Sequence, residues 1–373
     1  MGRIPQIPRT FVNADSRAWV VFNEPVDSTG DTRKSNERRL RVTQTAAPRP
    51  NALLRFWLWL APTAPTGHVK VLAWISLVLE VVLVGTGGAV RLTASGLGCP
   101  TWPQCSPGSF TTTPELGIHG LIEFSNRVLS FTILPIVVIL MFLVILRMRR
   151  TRRDLFVLTL VQGLSIPFQA VLGGITVLSG LNPYVVGSHF IVSMLLVVLA
   201  TVLVYRVLTG RRGGAPATPV WYRIGVVITF VLVWVTVIFG ILTSGAGPHA
   251  GDNSDAKALA PRNGLPPVTI QNIHSIPAYI LFGLTLLLFV AAWIIGNKIW
   301  SRVRLFVTIL LGVEVAQIIV GVTQAKDGLP IGLVEIHLVL AAILVGAMTA
   351  FTVSQRGGAD AALVRPDATF APS

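Results

Sequence analysis

Four of the six histidines, His119, His189, His274 and His337, fall inside long apolar stretches of the chain. An imidazole is costly in that setting and is kept for a cavity, a proton path or a metal, or is hydrogen-bonded across helices. Counting 1.5 Å per residue from the nearer end of each stretch puts His274 and His337 at roughly 10–12 Å depth and His189 at about 9 Å. The three share one layer. Neutral imidazole is a standard axial ligand of heme iron, and His274 and His337, at matching depth on two helices of one bundle, have the pattern of a bis-imidazole heme site. His189 has no such partner: the place that corresponds to His274 is Asn126, and an amide is a poor ligand for heme iron.

The segment around that asparagine is itself rich in chemistry. His119, Glu123 and Asn126 stand at i, i+4 and i+7, on one face of a helix, and Arg127 follows directly. A carboxylate at about 10 Å depth is either paired or a proton acceptor. Glu123 therefore reads as a catalytic acid/base group, with an i,i+4 ion pair to Arg127 as the competing assignment. Glu80 is a second intramembrane acid, open to interhelical hydrogen bonding or proton movement. Gln169 and Gln317 read as interhelical hydrogen-bonding residues. Cys99 and Cys105, the only cysteines, bracket Pro-Thr-Trp-Pro-Gln in a loop on the outer side. An oxidising compartment favours a disulfide there, with redox-active thiols or a metal site as lesser alternatives. No further soft ligand lies close by, which disfavours zinc. His249 lies in another outer loop, where it is solvated or within reach of a heme propionate.

The elements that must carry these residues follow from composition. Of 373 residues, 52% are hydrophobic and only 12% charged, about half the charged share of a soluble domain. With a mean hydropathy of +0.70, the chain is an integral membrane protein. Eight apolar stretches, near 71–90, 117–146, 155–178, 184–208, 221–243, 268–295, 303–325 and 329–353, each reach the roughly 20 residues a transmembrane helix needs, and none alternates as a barrel strand does. The predicted fold class is all-α, with eight membrane-spanning helices. Residues 1–66 are basic, proline-containing and without a long apolar run, which predicts a largely disordered cytoplasmic tail, with 53–60 lying against the membrane surface. They show no signal-peptide pattern.

The net charge of +14 is a topology signal rather than a nucleic-acid footprint. Arg147, Arg149, Arg150, Arg152, Arg153, Arg206, Arg211, Arg212, Arg223, Lys298, Arg302 and Arg304 fall in loops on one side, against Arg91, Lys257, Arg262 and Lys326 on the other. By the positive-inside rule both termini are cytoplasmic, and the histidine layer lies toward the outer face of the cell membrane.

The chain also repeats. An offset of 148 places Gln169 on Gln317, Gly173 on Gly321, Gly180 on Gly328, His189 on His337, Glu123 on Gln271 and Asn126 on His274. One residue more aligns Ser95-Gly96-Leu97-Gly98 with Ser244-Gly245-Ala246-Gly247. The predicted architecture is two four-helix bundles, residues 67–212 and 213–354, related by a pseudo-twofold axis along the membrane normal, with a cytoplasmic tail over 355–373.

Over residues 70–353 this arrangement resembles the heme A synthase family. The likeness rests on two four-helix repeats, the loop string Ser-Gly-Leu-Gly-Cys-Pro-Thr-Trp-Pro-Gln-Cys, a Glu-x-x-x-Arg signature ending at Arg127, and histidines in spans 4, 6 and 8. The resemblance implies that His274 and His337 hold a heme b that moves electrons. It implies that the first repeat, through His189 and Glu123, takes heme O and oxidises a ring methyl to a formyl group, giving heme A for cytochrome c oxidase. Heme O synthase and oxidase assembly factors would be its partners, besides the lipid membrane; no nucleic acid is expected. In the family pattern the residue at Asn126 is histidine. His119, seven residues nearer the surface, is the other candidate for that axial role, and Asn126 itself would leave a coordination position open or hydrogen-bond the substrate. The rival readings are a diheme b-type electron carrier or quinol oxidoreductase, which predicts four equivalent axial histidines, and a parallel-repeat transporter that would purify colourless.

Overall fold

The computed structural model of the chain describes residues 51–53, 56, 62, 64–210, 212–249, 262–296 and 300–358. The basic tail expected over 1–66 falls almost entirely outside them, and 359–373 fall outside as well. By its contacts the chain divides into Met1–Trp57 and Leu58–Ser373, and every helix named below belongs to the second unit.

Among the described residues, eight helical stretches are long and apolar enough to cross a membrane, the fold class the sequence predicts. Helix α1 is Gly67–Leu92. The second span is composite: α2 (Gly117–Val128), a π-helical turn (Leu129–Ile133) and α3 (Leu134–Leu146). The remaining spans are α4 (Arg153–Leu178), α5 (Pro183–Thr209), α6 (Val220–Ala246), α7 (Pro267–Ile294), α8 (Ser301–Lys326) and α9 (Ile331–Ser354). Hydrocarbon offers no partner for a backbone amide, so each apolar run closes its own hydrogen bonds as a helix. The outward faces are aliphatic: Leu164 and Leu287 stay 64% and 68% exposed in the bare protein, surface that lipid would cover.

The π turn has a local cause. Pro135 lacks the N–H that would bond back to Phe131, and its ring crowds that carbonyl, so the preceding turn widens. Ser130 Oγ donates to the Asn126 carbonyl at 2.7 Å, satisfying an acceptor just ahead of the widened turn. The chain turns sharply after α4 and α8 in the same way. Gly180 and Gly328 take φ of 61° and 75°, the leucines that follow take 61° and 62°, and Leu181 and Leu329 each donate five residues back, at 2.8 Å.

Within each set of four spans, consecutive helices pack and the first packs against the last, so α1–α5 form one ring and α6–α9 another. The rings meet where α9 packs on α1 and α5, and α5 on α6. At the arginine-bearing end of the first ring, Val69, Ala73, Met141, Val144, Ile145, Met148, Leu155 and Leu203 form a tight core. There Arg152 ties Asp154 to the end of α5, with donor–acceptor distances of 3.1 Å to Asp154 Oδ1 and 2.9 Å to the Arg206 carbonyl. One addition to the helical expectation appears. The linker between the rings forms β1 (Arg212–Pro216), paired antiparallel with β2 (Arg356–Gly358) just after α9. The expected boundary at residue 212 therefore falls inside a strand.

Candidate functional site

At the opposite end, where the cysteine loop lies, packing gives way to a cavity of about 690 Å³. Its walls come from both rings: Glu123, Asn126, Arg127 and His189 from the first, His274 and His337 from the second. That volume is well within the roughly 300–1,000 Å³ typical of ligand and cofactor sites. Each histidine lies six or seven residues into its helix, about 9–11 Å from the helix end, so the helical rise alone brings the rings to one level.

His274 and His337 face one another with ring centres 6.5 Å apart and planes at 81°. An imidazole nitrogen lies roughly 2.0–2.1 Å from a bound transition metal, and about 1.1 Å from its own ring centre. Two imidazoles on opposite sides of one metal therefore have centres about 6.3 Å apart. The observed separation of 6.5 Å is close to that value. The Nδ1 atoms of His189, His274 and His337 are buried on the side of each ring that packs against a glycine of a neighbouring helix.

Glycines seat these rings. A Cβ on Gly321 would come within 3.0 Å of His337 Cε1, one on Gly240 within 3.1 Å of His274 Cε1, and one on Gly173 within 3.4 Å of His189 Cε1. Gly173–His189 and Gly321–His337 are repeat partners, so this contact recurs in both halves. Gly240 was not singled out by the sequence, although a glycine one helix away from a buried histidine was the available signal. Gln169 bridges to α5 as its type suggests: Nε2 donates to Ser193 Oγ at 2.9 Å. Glu80, 5% exposed, also faces the cavity.

In the first ring the signature residues do something the sequence left open. Glu123 and Arg127 form an ion pair at 2.6 Å, with little exposure on either side chain. Glu123 Oε2 also accepts the Cys99 N–H at 2.7 Å. Arg127 donates to the carbonyls of Cys99, Thr101 and Gln104 at 3.1, 3.1 and 3.2 Å. The pair thus pins the loop closed by the Cys99–Cys105 disulfide, whose Cα atoms are 4.3 Å apart. Gly98 permits the approach, since a Cβ there would collide with the His119 carbonyl. Trp102, from the same loop, lies flat against Gly174 and forms part of the cavity wall.

His119 does not join this group. It is not in the cavity wall, and its Nδ1 is 2.9 Å from Ser95 Oγ in the turn after α1. Asn126 does line the cavity, and its Oδ1 accepts a 2.7 Å hydrogen bond from Thr86 of α1. His249 lies on the rim, 2.9 Å through Nε2 from the Leu329 carbonyl. Arg91 crosses between the rings, donating to the Ser244 and His249 carbonyls at 2.9 Å each.

The fold and cavity define a multi-pass membrane protein with imidazoles arranged around a buried chamber. The family described as COX15-CtaA, cytochrome oxidase assembly protein, matches residues 70–349, and the chain belongs to it. It is similar to the heme A synthase of Bacillus licheniformis, 30% identical over 161 residues, covering 41% of this chain and 52% of that one. With the heme A synthase of Listeria welshimeri it shares 29% over 143 residues, 37% of this chain and 46% of the other. With that of Exiguobacterium sibiricum it shares 25% over 252 residues, 65% and 81%. In the first two comparisons the chain spans about half the length of the relative it matches.

Proposed function

We propose that this protein is a heme A synthase, oxidising a ring methyl of heme O to a formyl group by successive hydroxylations to make heme A for cytochrome c oxidase. The observation that carries the proposal is that one cavity is lined both by a histidine pair, His274 and His337, with ring centres 6.5 Å apart, and by the unequal residues His189 and Asn126. In this reading His274 and His337 hold a heme b, and His189 faces the iron of the substrate. Heme b when bound supplies one-electron transfer.

The chain's own groups do the rest. Gly173, Gly240 and Gly321 fix the three rings, so the imidazoles are oriented before anything binds. Trp102, carried by the disulfide loop, closes part of the cavity wall with an apolar ring and shields it from water there. Glu123 stands in the wall as the proton-accepting carboxylate, its charge balanced by Arg127 and the Cys99 N–H. The exposed aliphatic faces suit a farnesyl-bearing substrate that enters from lipid. Both termini lie in the cytoplasm and the histidine layer toward the outer face, as the arginine distribution favours. The two rings relate by a pseudo-twofold axis, a reading supported by the recurrent Gly–His contact and the recurrent Gly-Leu turn. Heme O synthase and oxidase assembly factors are the natural partners of such a step.

Co-production with a heme O source followed by pigment extraction tests the assignment. A formyl heme is expected from the native protein; recovery of unaltered heme O alone would reduce the protein to an electron carrier.

A further inference from the structure

The first ring does not copy the second, and the way it differs has its own geometry. Where His274 faces His337, the residue at the corresponding place in the first ring is Asn126, which lines the same cavity as His189. An asparagine side chain is shorter than an imidazole, its amide nitrogen has no free lone pair, and its oxygen is already engaged by the Thr86 hydroxyl at 2.7 Å. The competing acceptor for that hydroxyl, the Leu83 carbonyl, is 3.4 Å away. With Oδ1 held by Thr86, the Nδ2 group presents two N–H donors to the cavity, and among the described residues neither has a partner. The backbone beneath is fixed as well, by Ser130 Oγ on the Asn126 carbonyl and the π turn that follows. His119, the alternative ligand, is occupied with Ser95 and lies outside the cavity wall.

We propose that a heme seated on His189 keeps its second axial position open as a binding site for a small neutral diatomic ligand, with Asn126 Nδ2 as the hydrogen-bond donor over it and Thr86 as the residue that orients the amide. The proposal rests on the heme reading of the cavity given above. It makes Asn126 a ligand-contacting residue and Thr86 a positioning residue.

The test uses the full-length protein produced in cells that make heme b but not heme O, purified, reduced with dithionite and exposed to carbon monoxide. In the native protein one heme should bind carbon monoxide and the other, on His274 and His337, should not. His189→Ala should abolish the carbon monoxide complex. Asn126→His should supply a sixth ligand, so that the complex disappears and a second low-spin spectrum appears. Asn126→Leu should retain the complex, raise the C–O stretching frequency and weaken binding about tenfold, the effect of one lost hydrogen bond. Thr86→Val should move the stretch in the same direction by less. Native protein that ignores carbon monoxide, whether it carries two hemes or only the one on His274 and His337, overturns an open heme seated on His189, as does an Asn126→His variant that binds carbon monoxide unchanged. An unshifted stretch in Asn126→Leu overturns the role of the amide. Native protein that purifies without heme removes the underlying heme reading instead, and the inference with it.

Discussion

The two rings use the same glycine-backed imidazole on their last helix, at His189 and His337, and part company on the helix that faces it. In the second ring the facing residue is His274, with ring centres 6.5 Å apart, a closed pair of imidazoles. In the first it is Asn126, whose side chain is turned to Thr86, and the neighbouring Glu123 and Arg127 bind the disulfide loop, whose Trp102 lines the cavity. Two imidazoles suit permanent retention of a group. One imidazole, an amide and a charged pair suit a group that arrives, is altered and leaves. On the proposed function, the residues that differ between the halves on the second span of each separate storage from chemistry.

The sharpest way to break this contrast is His337→Ala. It should remove the low-spin heme of the second ring almost completely, measured by pyridine hemochrome content, while leaving pigment on His189. Equal heme content in variant and native protein would undo the assignment. Next is Arg127→Ala, which leaves Glu123 buried without its counter-charge. Breaking a buried pair from one side costs about 3–5 kcal/mol, and a thermal melt should fall accordingly, with the Cys99–Cys105 loop becoming sensitive to proteolysis. Glu123→Gln keeps the acceptor for Cys99 but leaves Arg127 without its counter-charge, so the comparison is made per heme-loaded protein, where formyl-heme production should drop by at least the 10²-fold usual for a lost acid–base group. The smallest effect is expected from Gly321→Ala against Gly173→Ala. The first should shift the reduction potential of the stably held heme through a displaced His337; the second, with its 3.4 Å clearance, should do less.

Most of the frame was legible in the residues. Eight apolar runs and their lengths follow from the cost of an unpaired amide in hydrocarbon, and the observed helices keep close to those bounds. Helical rise alone put three histidines in one layer. What the sequence left open turned on tertiary contacts. Helical periodicity groups His119 with Glu123 and Asn126, yet His119 is drawn to Ser95 because the loop after α1 folds back onto the start of α2. Spacing raised both roles for Glu123, and only the placement of the Cys99 N–H showed that its second oxygen is also committed. Gly240 escaped notice because its value comes from the ring on another helix, and the strand pair β1–β2 because three to five residues leave no period to read.

Arg91 has one more implication. Its guanidinium, rooted in the first four spans, is satisfied by main-chain oxygens that belong to the last four. A gene severed at the linker would therefore yield an amino-terminal fragment with a stranded cation and a chamber missing half its lining. The halves are copies in pattern, but as physical objects neither is finished without its sibling.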